Sequence, residues 1–172
     1  MGAFLERLSL SVLIAALCVN ANTSKKLAID LYQDDLLQVV GRHTIEAEVD
    51  GVSFDMPGVR LITQVSGTTS LTATMSSFGV ERPNEASFFI VKVDGKPQFD
   101  GGDGSYFTFS TTEWQSGEAV DVLICTGLDP SGSHTIEIFK NTEAQWNEIH
   151  VADNYITLVA MKGDDSLTFK QP

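Results

Sequence analysis

Beyond residue 57 the apolar residues of this chain recur at every second position, in short runs that stop at Gly, Asp, Pro or Ser. In 58-GVRLITQVSG-67, Val59, Leu61, Thr63 and Val65 fall on one face, and Arg60, Ile62 and Gln64 on the other. In 70-SLTATMSS-77, Leu71, Ala73 and Met75 alternate with Thr72 and Thr74. In 86-ASFFIVKVDG-95, Phe89, Val91 and Val93 share a face; Phe88 and Ile90 take the opposite one, so this strand is expected to be covered on both sides. Period-2 alternation is the signature of a strand whose side chains point to opposite faces of a sheet. Further runs are 105-SYFTFST-111, 120-VDVLICT-126, 134-HTIEIFK-140, 155-YITLVAM-161 and 166-SLTFK-170. Val, Ile, Thr and Phe dominate them, as strands prefer.

The turns support these boundaries. Asp94-Gly95 suits a hairpin turn with positive φ, and Asp129-Pro130-Ser131-Gly132 is a second turn signal. No long stretch with a 3.6-residue period follows residue 45. Regularly spaced short strands in one domain predict an all-β fold, a two-sheet β-sandwich of jelly-roll type over residues 41–172. Residues 22–40 form an amino-terminal arm, in which 25-KKLAIDLYQDDLLQVVG-41 fits a short helix or a loose extension.

The beginning of the chain reads as a secretory signal peptide over residues 1–21. Arg7 precedes the apolar run 10-LSVLIAALCV-19, and Val19 and Ala21 supply the small residues that a signal peptidase reads. The run is shorter than the ~20 apolar residues a membrane-spanning helix needs. Gly2 does not make a myristoylation signal, because Glu6 stands where Ser or Thr is required. The expected location is therefore extracellular, with no membrane attachment after cleavage. Asn22-Thr23-Ser24 is a glycosylation sequon at the new terminus, so Asn22 is a candidate acceptor.

Net charge argues about partners. The 172 residues carry 11 Lys and Arg against 23 Asp and Glu, a formal charge of −12. Loss of Glu6 and Arg7 with the signal peptide leaves that value unchanged. An acidic surface repels phosphate backbones, so nucleic acid is not an expected partner.

Chemistry-bearing residues are few. Of the two cysteines, Cys18 belongs to the signal peptide, and Cys125 lies in the apolar run 120-VDVLICT-126. That setting favours a buried thiol over a bridge to another segment or a nucleophile, which needs an electropositive, exposed position. The stretch 162-KGDDSLTF-169 comes within one inserted Asp of the G-D-S-L block of many esterases. A nucleophilic serine there should follow a buried strand and open a helix. Leu167 and Phe169 instead alternate with Ser166, Thr168 and Lys170. Gly-Asp-Asp-Ser is accordingly expected to be a turn, with Ser166 starting the last strand. The candidate bases are His43, His134 and His150; Ser133 and His134 are adjacent on a strand and point to opposite faces. No catalytic residue and no cofactor is assigned from the residues.

Two binding candidates remain. Asp100 and Asp103 in 100-DGGDG-104 could contribute to a calcium site, but two carboxylates fall short of the six to eight oxygens calcium takes, and a Gly-rich hairpin loop suits the stretch better. No metal is therefore assigned. Trp114 and Trp146 lie in the polar stretches 112-TEWQSG-117 and 144-AQWNEI-149. Each can stack on a sugar ring, or cap a sheet edge or a domain contact.

Five ordered phrases add a resemblance: 41-GRH-43, 52-VSFDMPGVRLITQVSGTTSLTATM-75, 90-IVKVDG-95, 134-HTIEIFKNTEA-144 and 163-GDDSLTFKQP-172. Together they resemble the amino-terminal β-domain of carbohydrate esterase family 2, secreted two-domain deacetylases of acetylated plant polysaccharides. The matching elements are an opening Gly-Arg, a strand near Pro-Gly, a Val-Asp-Gly, and the Lys-x-Thr-Glu block at Lys140-Asn141-Thr142-Glu143. The resemblance implies a jelly roll that is followed, in the family, by a hydrolase domain carrying the catalytic serine and histidine. This chain stops at Pro172, so it is expected to be a non-catalytic accessory domain that supports a hydrolase or binds carbohydrate, an independent secreted binding or interaction protein with no carbohydrate role, or a piece of an active esterase. The implied partners are a hydrolase domain or a plant-type polysaccharide. The face toward such a hydrolase is expected to be apolar, around Tyr155, Ile156 and Phe169.

Overall fold

The alternation expected of the strands is realised in a computed structural model that describes residues 24–46, 48, 50–78, 86–99, 106–142, 155–164 and 166–172. The strands are β1 (Ser24–Leu27), β2 (Leu37–Val40), β3 (Thr44–Glu46), β4 (Gly51–Phe54), β5 (Arg60–Ser66), β6 (Ser70–Phe78) and β7 (Phe88–Val93). They continue with β8 (Lys96–Gln98), β9 (Phe109–Ser110), β10 (Ala119–Thr126), β11 (Ser133–Lys140), β12 (Tyr155–Gly163) and β13 (Thr168–Lys170). One short helix, α1 (Ala28–Gln33), follows β1.

The strands form two antiparallel sheets. The first runs β10-β6-β12-β4-β3, with β1 added beside β12; the second runs β13-β5-β11-β7-β8, with β2 on β5 and β9 on β7. From β4 to β7 each strand changes sheet, and β10, β11, β12 and β13 do so again. The two inner faces enclose one core. Val59, Leu61, Thr63 and Val65 are all buried on β5, as are Leu71, Ala73 and Met75 on β6. Phe54 of the first sheet meets Phe89 of the second edge-on, with ring centroids 6.4 Å apart. The fold is an all-β sandwich, as the alternation predicts.

Where the sequence left alternatives, long-range pairing decides. The stretch from 25 to 41 becomes strand, helix and strand: β1 pairs with β12, β2 pairs with β5, and Ala28 and Leu31 of α1 are buried in the core. The expected hairpin at Asp94-Gly95 forms, with φ of 51° and 77° and Val93 opposite Lys96.

Three expectations need correction. The run 105–111 yields only the two-residue β9, because Tyr106 is turned out to solvent and the Thr108 hydroxyl accepts from the Val91 N–H. The last strand begins at Thr168, and Ser166 belongs to the turn before it. Among the described residues near the end of the chain, the expected apolar face is not exposed. Ile156 and Phe169 point inward and are buried in the core, and Tyr155 stacks on Phe78. The exposed large apolar side chains among the described residues are Met56, Phe99, Tyr106 and Leu123.

On β10 a shift in register between Leu123 and Cys125 buries both Ile124 and Cys125 and turns Leu123 outward. A bulge inserts one residue and so breaks strict alternation.

Candidate functional site

The polar groups converge most clearly at one edge of the first sheet, where the loop before β3 passes the end of β4. Arg42 donates to both carboxylate oxygens of Asp55, through Nε at 3.1 Å and through a terminal nitrogen. This forked pairing fixes the guanidinium plane as well as its position. His43 follows in the sequence. Its Nδ1 lies 2.9 Å from the Gly41 carbonyl, which can only accept, so Nδ1 carries the proton. Its Nε2 faces the Tyr32 hydroxyl of α1 at 3.1 Å.

Arg42, His43 and Asp55 border a cleft of about 390 Å³ whose other walls are Thr44 and Glu46 of β3, Ser53 and Phe54 of β4 and Tyr155 of β12. Ser53 and Thr157 stand opposite each other on β4 and β12, and their hydroxyls bond at 2.6 Å. Tyr155 stacks its ring on Phe78 at 4.8 Å between centroids and 16° between planes. Tyr155 lines the cleft and Phe78 does not. Burial pushes the Tyr155 phenol up from its ordinary value, and the nearby Glu46 charge pushes it further the same way. The hydroxyl therefore stays protonated at neutral pH. The cleft presents hydroxyls, carboxylates, a guanidinium and an aromatic ring, a set suited to holding a polar ligand.

At the end of β11 lies Lys140, which sequence reasoning did not single out as buried. It continues the inward register of Ile136 and Ile138 on β11 and is 1 % exposed. Its amine donates to the Thr142 carbonyl at 2.6 Å. Burial lowers its pKa to about 8, against the opposing pull of the Asp55 charge. The signal was present in the sequence: the alternation of 134-HTIEIFK-140 places Lys140 on the core face. The Thr142 hydroxyl accepts from the Phe88 N–H at 3.0 Å, and the Asn141 N–H donates to the Phe88 carbonyl at 2.9 Å. Asn141 and Thr142 of the Lys-x-Thr-Glu block thus fasten the end of β11 to β7, while the Lys140 main chain bonds Gly58 and Val59.

The other singled-out residues are dispersed. Ser166 donates its hydroxyl to the Gly67 carbonyl. Asp164 accepts from the Thr69 N–H and hydroxyl at 2.6 and 2.7 Å, so the Gly-Asp-Asp-Ser stretch clasps the β5–β6 turn. His134 places Nδ1 2.8 Å from Asp94 and Nε2 3.1 Å from the Asp129 carbonyl. Cys125 is buried, and desolvation pushes its thiol up to about 11. Trp114 packs partly against the core and borders a second cleft, of about 420 Å³, with Ser110, Thr112, Glu113 and Val120. A separate apolar hollow lies between Phe88, Tyr106 and Phe107. Asn22, Asp100, Asp103, Trp146 and His150 lie outside the described residues. Among the described residues no three His, Cys, Asp or Glu side chains are grouped to hold a metal, and no helix is long and apolar enough to cross a membrane.

No family model and no curated protein matches this sequence. Solved structures do. A family two carbohydrate esterase from Cellvibrio japonicus is 26% identical with a TM-score of 0.56, covering 86% of this chain and 35% of its own. An acetyl xylan esterase from the rumen bacterium Butyrivibrio proteoclasticus is 9% identical with a TM-score of 0.61, covering 86% of this chain and 33% of its own. The CBM36-1 domain of a multidomain xylanase from the hindgut metagenome of Trinervitermes trinervoides is 15% identical with a TM-score of 0.50, covering 82% of this chain and 95% of its own. The chain thus spans about a third of the length of the two esterases. The resemblance carried by the five ordered phrases recurs in three dimensions: over most of its length this chain is similar to one part of the family two carbohydrate esterases.

Proposed function

We propose that this chain is a jelly-roll accessory domain of a secreted, carbohydrate-directed protein related to polysaccharide deacetylases, and that it supports or targets catalysis rather than performing it. The observation that carries the reading is the match to the Cellvibrio japonicus esterase, at 26% identity over 86% of this chain but only 35% of that enzyme. The jelly-roll assignment is supported by strand order: β4, β12, β6 and β10 lie in one sheet and β5, β11, β7 and β8 in the other. The accessory role is supported by the polar groups. The Ser166 hydroxyl is bonded to a carbonyl, and both ring nitrogens of His43 and of His134 have partners other than a serine. A nucleophilic serine needs a base within hydrogen-bond reach. Secretion follows from the signal-peptide pattern of residues 1–21.

An independent binding module is the second reading, favoured by the match to CBM36-1 over 95% of that domain's length. The purified chain from residue 22 onward tests both. It is expected to leave 4-nitrophenyl acetate and acetylated xylan unhydrolysed, and to be retarded in affinity gels that contain xylan or glucomannan. Turnover that disappears in Ser166→Ala would overturn the accessory reading. Absence of retardation across polysaccharides would favour an independent binding or interaction protein with no carbohydrate role.

A further inference from the structure

We infer that the cleft between Arg42 and Tyr155 is a binding subsite for one or two units of a neutral saccharide. This rests on the carbohydrate-binding arm of the proposed function and names its site, away from the two tryptophans. Volume comes first: about 390 Å³ lies within the ~300–1,000 Å³ range of small-molecule sites and suits a short sugar segment rather than a flat surface. The walls have the two kinds of surface a pyranose needs. Tyr155 lines the cleft and is braced by its stack on Phe78, which brings an aromatic side chain within reach of the apolar side of a sugar. The carboxylates of Asp55 and Glu46, the Thr44 hydroxyl and the guanidinium of Arg42 offer acceptors and donors to hydroxyl groups.

Preorganisation supports the same conclusion. Arg42 and Asp55 hold each other in a forked pair. His43 is held by the Gly41 carbonyl and the Tyr32 hydroxyl, which sets the loop that carries Arg42. Groups held before a ligand arrives lose little freedom when it binds. Charge then selects the ligand class. The guanidinium is already matched by Asp55, Glu46 adds a further carboxylate, and the chain as a whole carries −12. Uronates and phosphorylated sugars are repelled, and neutral hydroxyls are not.

The test uses the chain from residue 22 onward, with cellohexaose and xylohexaose as neutral probes and an oligogalacturonide as the acidic one. Calorimetry is expected to show binding of a neutral hexasaccharide and none of the oligogalacturonide. Glu46→Gln and Tyr155→Leu should each weaken binding at least tenfold. In the unaltered protein, amide shifts on titration should centre on Thr44, Glu46, Asp55 and Tyr155, a readout that stands even if a variant fails to fold. Binding with shifts elsewhere, or binding lost in Trp114→Ala but kept in Glu46→Gln and Tyr155→Leu, overturns this site and leaves the carbohydrate reading intact. Preference for the oligogalacturonide overturns the ligand class. Binding of no probe overturns the site together with the carbohydrate-binding reading.

Discussion

Ser166 gives its hydroxyl proton to the main-chain oxygen of Gly67, across the turn that joins β5 to β6. The bond ties the segment before the last strand to the strand pair it covers. Gly67 has φ of +74°, and a Cβ built on it would collide with the Ser166 carbonyl oxygen. Within 163-GDDSL-167, the Asp164 carboxylate and the Ser166 hydroxyl close a turn.

This contact predicts two different outcomes. Ser166→Ala removes one partly exposed hydrogen bond and should lower stability by about 1 kcal/mol in urea unfolding. Gly67→Ala forces a close approach and an unfavourable φ together, and should cost roughly 2 kcal/mol or more. Equal effects from the two substitutions would contradict the packing described.

The clamp at His134 predicts a pH window. Its hydrogen bond to Asp94 raises the His134 pKa above 6.5, and the same bond, with the Thr135 N–H, lowers that of Asp94 below 3.8. Asp129 and Lys96 are the other charged groups acting on the pair. The histidine's contribution is complete below about pH 6.5 and is lost as pH rises through its raised value. The carboxylate's contribution is complete above about pH 3.8 and is lost as pH falls through its lowered value. The pair is exposed, so its contribution should be ~0.2–1 kcal/mol. Thermal unfolding of His134→Ala should lose the decline above pH 6.5 that the parent shows.

A third prediction concerns Lys140, whose burial lowers its pKa to about 8 from 10.5. The unfolded chain then holds more protons than the folded one between about pH 8 and 10.5, so stability should rise with pH across that interval. Lys140→Met should remove the rise and should be neutral or stabilising at pH 7, by up to ~1 kcal/mol. A loss greater than that would show that the amine's bonds outweigh its desolvation.

Cys125 should be inert. With its thiol pushed up to about 11 by burial, it should react with a thiol reagent at pH 8 on the hour scale or slower while folded, and within minutes in denaturant. Rapid labelling of the native protein would place the thiol at the surface.

The sequence by itself determined what depends on near neighbours along the chain. Alternation on β5 and β6 was legible because the strand pleat has a period of two, and the Asp94-Gly95 hairpin because few residues tolerate positive φ. It also placed Lys140 on the face of Ile136 and Ile138, a consequence easily missed because lysine is usually exposed. Only the tertiary structure decided which strands are neighbours, since pairing of β1 with β12 or β2 with β5 leaves no local period to read. It turned Leu123 outward by a bulge, sent Ile156 and Phe169 inward, and brought Arg42, Asp55 and Tyr155 around one cleft. Those contacts join residues far apart in the chain, and their geometry is set by the packing of the two sheets.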